Sequence, residues 1–189
     1  MESDLFEANA LGFRLRKPAS WSFVPGAWSP LARWKNAAGD ELKWLQRTNL
    51  PFCCAMGKQA NRRHVRPTLQ VVVRPLIRPN SALAPMLLEA QLEQLCRTYR
   101  DFELLDASSR ACVGGCRATL IRGRFTLRTV IDGEPVEMPV LTRGYIVFAD
   151  CRAFSIGLSS SNDPQYYVED EFREIVASIE IADGIAGRR

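Results

Sequence analysis

The sequence predicts an α+β domain whose helices pack on a mostly antiparallel sheet. Three observations carry this. In "RATLIRGRFTLRTVI", Ile121, Phe125, Leu127 and Ile131 share one parity while Arg122, Arg124 and Arg128 share the other. That alternation is the mark of a strand with one face wetter than the other. Asp132-Gly133 follows at once and is the strongest hairpin signal in the chain. Two stretches carry apolar residues at helical spacing instead. They are Leu88, Leu92, Leu95 and Tyr99, and then Val168, Phe172, Ile175 and Ile179.

The elements follow in order. A short strand, Phe13 to Arg16, is ended by Pro18. Residues 24–66 read as a mostly irregular insertion, with Asp40 placed to cap a short helix from Glu41 to Arg47. "RPTLQVVVRPL" is a β-branched run between prolines, a buried strand by length and composition. A helix from about Leu83 to Tyr99 tolerates Pro85 because it falls in the first turn. "DFELLDAS" is a strand and "ACVGGC" a turn. The return strand after Asp132-Gly133 is "EPVEMPVLTRGYIVFA", and a tight turn near Asp150 leads to "AFSIGLSS". Asp163 is placed to cap the closing helix with Pro164 at its first position. Glu169, Asp170 and Glu171 suit the positive helix end.

A chain of 189 residues with 47% apolar residues supports one domain, 1–189, with a sizeable core. No run approaches the roughly 18 apolar residues of a membrane span, so no direct membrane insertion is expected. The start, "MESDLFEANALGFRLRK", has acids where a signal peptide needs bases. A cytoplasmic location with six reduced cysteines is therefore expected.

The candidate chemistry is concentrated in "FCCAMGKQANRRHVRP". Cys53 and Cys54 are adjacent, and adjacent cysteines bridge only through strained geometry. His64 is the only imidazole, so any Cys-His catalysis must use it. It lies among Arg62, Arg63 and Arg66, with no carboxylate near it in sequence, which favours an exposed loop. Zinc at Cys112 and Cys116 would need two more ligands, which His64 and Cys53 or Cys54 could supply, but no second paired-ligand motif exists. No metal or cofactor is expected. The arginines lack aromatic stacking platforms between them, so no nucleic acid is expected either.

Short motifs then point to a family. "FRLRKPASW" opens the domain, Gly115-Cys116-Arg117-Ala118 opens the meander, and the closing helix reads Phe172-Arg173-Glu174-Ile175-Val176-Ala177-Ser178-Ile179. In these motifs and in element order the chain resembles the Mog/PsbP-like superfamily, in its DcrB-like bacterial branch. The resemblance implies a three-layer α/β/α sandwich and no enzyme activity. It implies a binding role, such as an adaptor or chaperone for a type VI secretion effector.

Two functional classes stay open. One is a noncatalytic module that binds another protein, with a homodimer also possible. Its expected surface is Trp28, Trp34 and Trp44 as anchors beside Arg62, Arg63 and Arg66. The other is a thiol-dependent enzyme or redox protein using Cys53, Cys54 or Cys112 with His64.

Overall fold

The computed structural model describes residues 4–24, 51–76, 81–166 and 168–182. In chain order the strands are β1 (Leu5–Ala8), β2 (Phe13–Arg16), β3 (Ser22–Phe23), β4 (Cys53–Met56), β5 (Thr68–Pro75), β6 (Glu103–Val113), β7 (Cys116–Ile131), β8 (Glu134–Ala149), β9 (Arg152–Ser161) and β10 (Glu180–Ile181). Helix α1 (Ala84–Thr98) lies between β5 and β6, and α2 (Glu169–Ala177) between β9 and β10.

Seven strands form one antiparallel sheet in the order β3-β4-β5-β9-β8-β7-β6. Its long meander follows from tight turns. Asp132 (φ 52°) and Gly133 (φ 85°) both take left-handed backbone, the geometry that lets a two-residue turn follow the strand twist. Asp150 (φ 47°) opens the next turn. At the edges, β3 is only two residues long, and β6 slips register against β7 twice, between Leu104 and Asp106 and between Ser108 and Ala111.

The layers are set by parity. On one face Cys53, Leu69, Val71, Val73, Phe154 and Val147 point into the main core. A second sheet, β1-β2-β10, covers this face together with α2. Phe13 stacks on Phe154 and meets Phe52 edge-on, each with centroids 5.3 Å apart, which are favoured aromatic geometries. Helix α1 lies on the opposite face. There Tyr99 stacks on Phe125, and Phe102 settles over Gly123. A Cβ at Gly123 would come within 2.4 Å of that ring, so the close approach requires glycine. This is a three-layer α/β/α sandwich.

Trp21 fastens the opening segment to the closing helix. Its Nε1 donates to Glu171 Oε2 at 2.7 Å, and its ring meets Phe172 edge-on. Ser178 Oγ accepts from the Arg16 amide at 2.9 Å, just past the helix end.

Several expectations are refined. Asp163 does not cap α2. It accepts from the Gln165 amide and caps a 3-10 turn, Pro164–Tyr166, while α2 begins at Glu169. The α1 stripe is half-buried rather than buried, and only Ala84 is fully covered. β5 buries Leu69, Val71 and Val73 but exposes Gln70, so it is covered completely on one side only. The second part of the supposed irregular insertion contains β4, with Phe52 in the core. The helix expected from Glu41 to Arg47 lies outside the described residues.

Phe172 and Ile175 are 1% and 0% exposed. Phe172→Ala should therefore lower unfolding stability by about 3–5 kcal/mol, measured by chemical denaturation. An unchanged denaturation midpoint would contradict this packing.

Candidate functional site

Strands β7 and β8 run on past the sheet. β6 pairs no further than Arg124, and β9 no further than Val140. From Leu127↔Met138 to Ile131↔Glu134 the two strands pair only with each other among the described residues. A bare two-stranded ribbon is marginal in water, so its supports matter. Asp101 accepts from the Thr126 amide at 3.1 Å, at the edge that β6 has left open. A hydrogen bond with the Thr126 side chain, with the amide bond and Arg128 adding to it, holds the Asp101 carboxyl below the usual carboxylate range. Arg128 also pairs with Glu137 directly across the ribbon. At the tip Arg62 meets Asp132 at 3.5 Å and Arg63 meets Glu134 at 3.2 Å, all four well exposed. Leu127 and Val130 stay open to solvent, Val130 at 67%.

The basic stretch is thus tied to the ribbon. Arg62 and Arg63 face its acids, while Arg66, also exposed, donates back to the Gly57 carbonyl of its own loop at 2.8 Å. Trp28, Trp34 and Trp44, expected beside them, lie outside the described residues. His64 is not a lone loop imidazole. Its Nδ1 lies 2.8 Å from Asn61 Oδ1 and its Nε2 3.3 Å from Asp163 Oδ2, with Tyr166 packed edge-on. The chain brings that carboxylate from 99 residues away, where local sequence gives no sign of it. His64 therefore clips the β4–β5 loop to the turn that precedes α2.

The thiols are scattered. Cys53 faces the main core and Cys54 the opposite side, because strand neighbours alternate. Burial pushes both thiols up, and Cys54 raises Cys53 further. Cys112 lies at the β6–β7 turn, at the end of the sheet opposite the His64 loop. None of the six cysteines is in a disulfide. Among the described residues no three His, Cys, Asp or Glu side chains are grouped to hold a metal. The Cys-His constellation is therefore not assembled.

A different cluster is. Between α2 and the β6–β7 turn lies a cleft of about 660 Å³, lined by Cys112, Arg143, Tyr145, Arg173, Val176 and Ile179 among others. Arg143 forms an ion pair with Glu169 of α2, with side chains only 12% and 10% exposed. Burial pushes the Tyr145 phenol up, and Arg143 acts against this. Arg143 shares strand parity with Leu141, Tyr145 and Val147. A charged residue in an apolar phase was the one signal that could have found it.

No protein-family model matches the chain, and no curated protein matches it in sequence. Solved structures do match. LpqN, involved in cell envelope biogenesis of Mycobacterium tuberculosis, superposes with a TM-score of 0.55 at 15% identity, over 90% of this chain and 83% of that one. The PsbP protein CyanoP of Synechocystis gives 0.50 at 13% identity, over 94% and 91%. The fold is thus the PsbP-like one that the motifs indicated. The cytoplasmic expectation is corrected, because the same fold serves LpqN in cell envelope biogenesis. The acidic opening residues bear on a signal peptide, not on where the folded domain works.

Two outcomes follow. A thiol reagent at neutral pH should modify exposed Cys112 well before Cys53 and Cys54, whose raised pKa and burial both suppress the thiolate; peptide mass mapping reads the order. Breaking the buried pair with Arg143→Met should destabilise by about 3 kcal/mol, while Arg143→Met with Glu169→Leu should recover most of the loss. Denaturation of the three variants checks this. An additive double variant would mean that the two side chains do not act as a pair.

Proposed function

We propose that this PsbP-like fold serves as a noncatalytic protein-binding domain in an extracytoplasmic setting. The observation that carries the reading is the ribbon beyond the sheet. It carries exposed apolar side chains on both faces, Leu127 on one and Val130 on the other, beside charges from Arg62, Arg63, Asp132 and Glu134. Apolar side chains bordered by charged ones are the anatomy of a protein interface. Two of the expected arginines already neutralise carboxylates there, which weakens any claim on phosphates. The thiol-dependent alternative has lost its assembly, since its cysteines and His64 lie apart. LpqN, which shares the fold, is described as a protein involved in cell envelope biogenesis, which supports the setting.

The partner surface is this ribbon tip and loop, with Trp28, Trp34 and Trp44 as its further anchors and Arg62, Arg63 and Arg66 as its basic members. An adaptor or chaperone role for a secretion effector is one specific form of this reading, in which the effector is the protein bound. Self-association would use the same tip.

Pull-down from the source cell, followed by binding kinetics, tests it. Leu127→Asp with Val130→Asp should abolish capture without changing thermal stability. Arg62→Glu with Arg63→Glu should slow association and remove its salt dependence, while each tryptophan-to-alanine change should speed dissociation. A true anchor should weaken binding by about 2 kcal/mol, roughly thirtyfold. Capture unchanged by all of these in folded variants would place the partner elsewhere.

A further inference from the structure

The ribbon has two long edges, and they are not alike. Its two-residue turn makes Ile131 and Glu134 a hydrogen-bonded pair, so bonded pairs recur at Thr129↔Val136 and Leu127↔Met138. The residues between them turn their amides and carbonyls outward. Two contacts agree with this phase. The Thr126 amide donates outward to Asp101 at 3.1 Å, and the Pro139 carbonyl accepts from the Asn162 amide at 2.9 Å.

On β8 the outward positions are Pro135, Glu137 and Pro139. Proline has no N–H, so two of the three offer no donor. Pro139 has its carbonyl taken as well. Proline at outward positions keeps a free edge from pairing. On β7 the outward positions are Thr126, Arg128 and Val130, and none is proline. Asp101 occupies the Thr126 amide where β6 has ended. The amides and carbonyls of Arg128 and Val130 have no hydrogen-bond partner among the described residues. Backbone donors and acceptors in a row are a template for another strand.

The side chains along this edge fit that use. Leu127 and Val130 are exposed on opposite faces. The charge of Arg128 is already met by Glu137 at 2.9 Å and Asp101 at 3.7 Å. The edge thus offers backbone bonds with apolar flanks and leaves no charge to answer.

We infer that the free β7 edge of the ribbon takes an extended segment of another protein, about five residues long, as an added strand. This rests on the reading of the ribbon as the partner surface and names how that surface binds. The segment has no proline at its bonding positions. It turns apolar or β-branched side chains toward Leu127 on one face and toward Val130 on the other. An edge this short falls well below the roughly 800 Å² per partner of a stable interface between rigid bodies. A second copy of the chain therefore gains little from it, whereas a flexible segment needs only this edge.

Amide hydrogen exchange of the full chain, followed by NMR, tests it with the peptide acetyl-Lys-Thr-Val-Thr-Val-Thr-Lys-amide as probe. In the free protein the Arg128 and Val130 amides should exchange faster than those of Thr129 and Ile131. The peptide should slow Arg128 and Val130 by at least about tenfold, the factor of about one hydrogen bond, and leave Thr129 unchanged. Val130→Pro removes an outward N–H without touching a bond to β8, and it should abolish peptide binding. Val130→Thr keeps the N–H and the shape, and it should retain binding. Exchange unchanged up to the solubility limit of the peptide would overturn the inference, as would full binding in a folded Val130→Pro variant. Slowing of the same amides by protein concentration alone would overturn it in favour of a second copy. Partner capture separates this inference from the reading beneath it. Capture lost in Leu127→Asp with Val130→Asp but kept in Val130→Pro would remove the added strand and leave the ribbon surface standing. Capture indifferent to all of these changes would remove both.

Discussion

The ladder between β7 and β8 is the constraint on which the rest of the molecule depends. It runs unbroken from Ala118↔Val147 to Ile131↔Glu134. Its register is pinned by Asp132 and Gly133, whose left-handed backbone permits one two-residue turn and no other offset. A slip by a single residue would reverse every side chain on the strand. Ala118 and Val147 would leave the core, and the arginine row would turn to the α1 side. The same register fixes β9, which is joined to β8 through Asp150, and through β9 it fixes β5 and β4. The small sheet and α2 then have a single apolar field on which to settle.

That dependence explains what could be read from the sequence and what could not. Period-two alternation and the Asp-Gly turn are local, so β7, β8 and the hairpin between them were legible. Phe172 and Ile175 were legible because helical spacing is local too. Strands β1 and β10 were not. They are four and two residues long, and each exists only because β2 lies beside it. Asp163 was read as the cap of α2, since a carboxylate followed by proline looks the same before a 3-10 turn as before an α-helix. Arg143 and Glu169, and likewise His64 and Asp163, meet by way of the tertiary fold. Neither pair has a spacing that a helix or strand would impose.

The basic loop shows a pairing that composition alone does not give. Arg62, Arg63 and Arg66 were read as a rim waiting for a partner. In the fold, two of them face the acids of a distant hairpin tip and the third closes its own loop. Surface ion pairs of this kind are worth little individually, so a partner can displace them at small cost. They orient the ribbon more than they stabilise it. The tip and loop therefore behave as one surface, although 70 residues separate Arg62 from Asp132.

The two register shifts in β6 have a consequence for how the molecule meets its neighbours. An edge strand of eleven residues with Leu104 and Leu105 exposed would ordinarily invite another chain to continue the sheet. Each bulge bends the strand and breaks the even row of amides and carbonyls that such growth requires. At the far side of the described sheet, β3 offers only two residues to copy. Neither rim is a good template, so the domain can carry exposed leucines in a crowded compartment without polymerising.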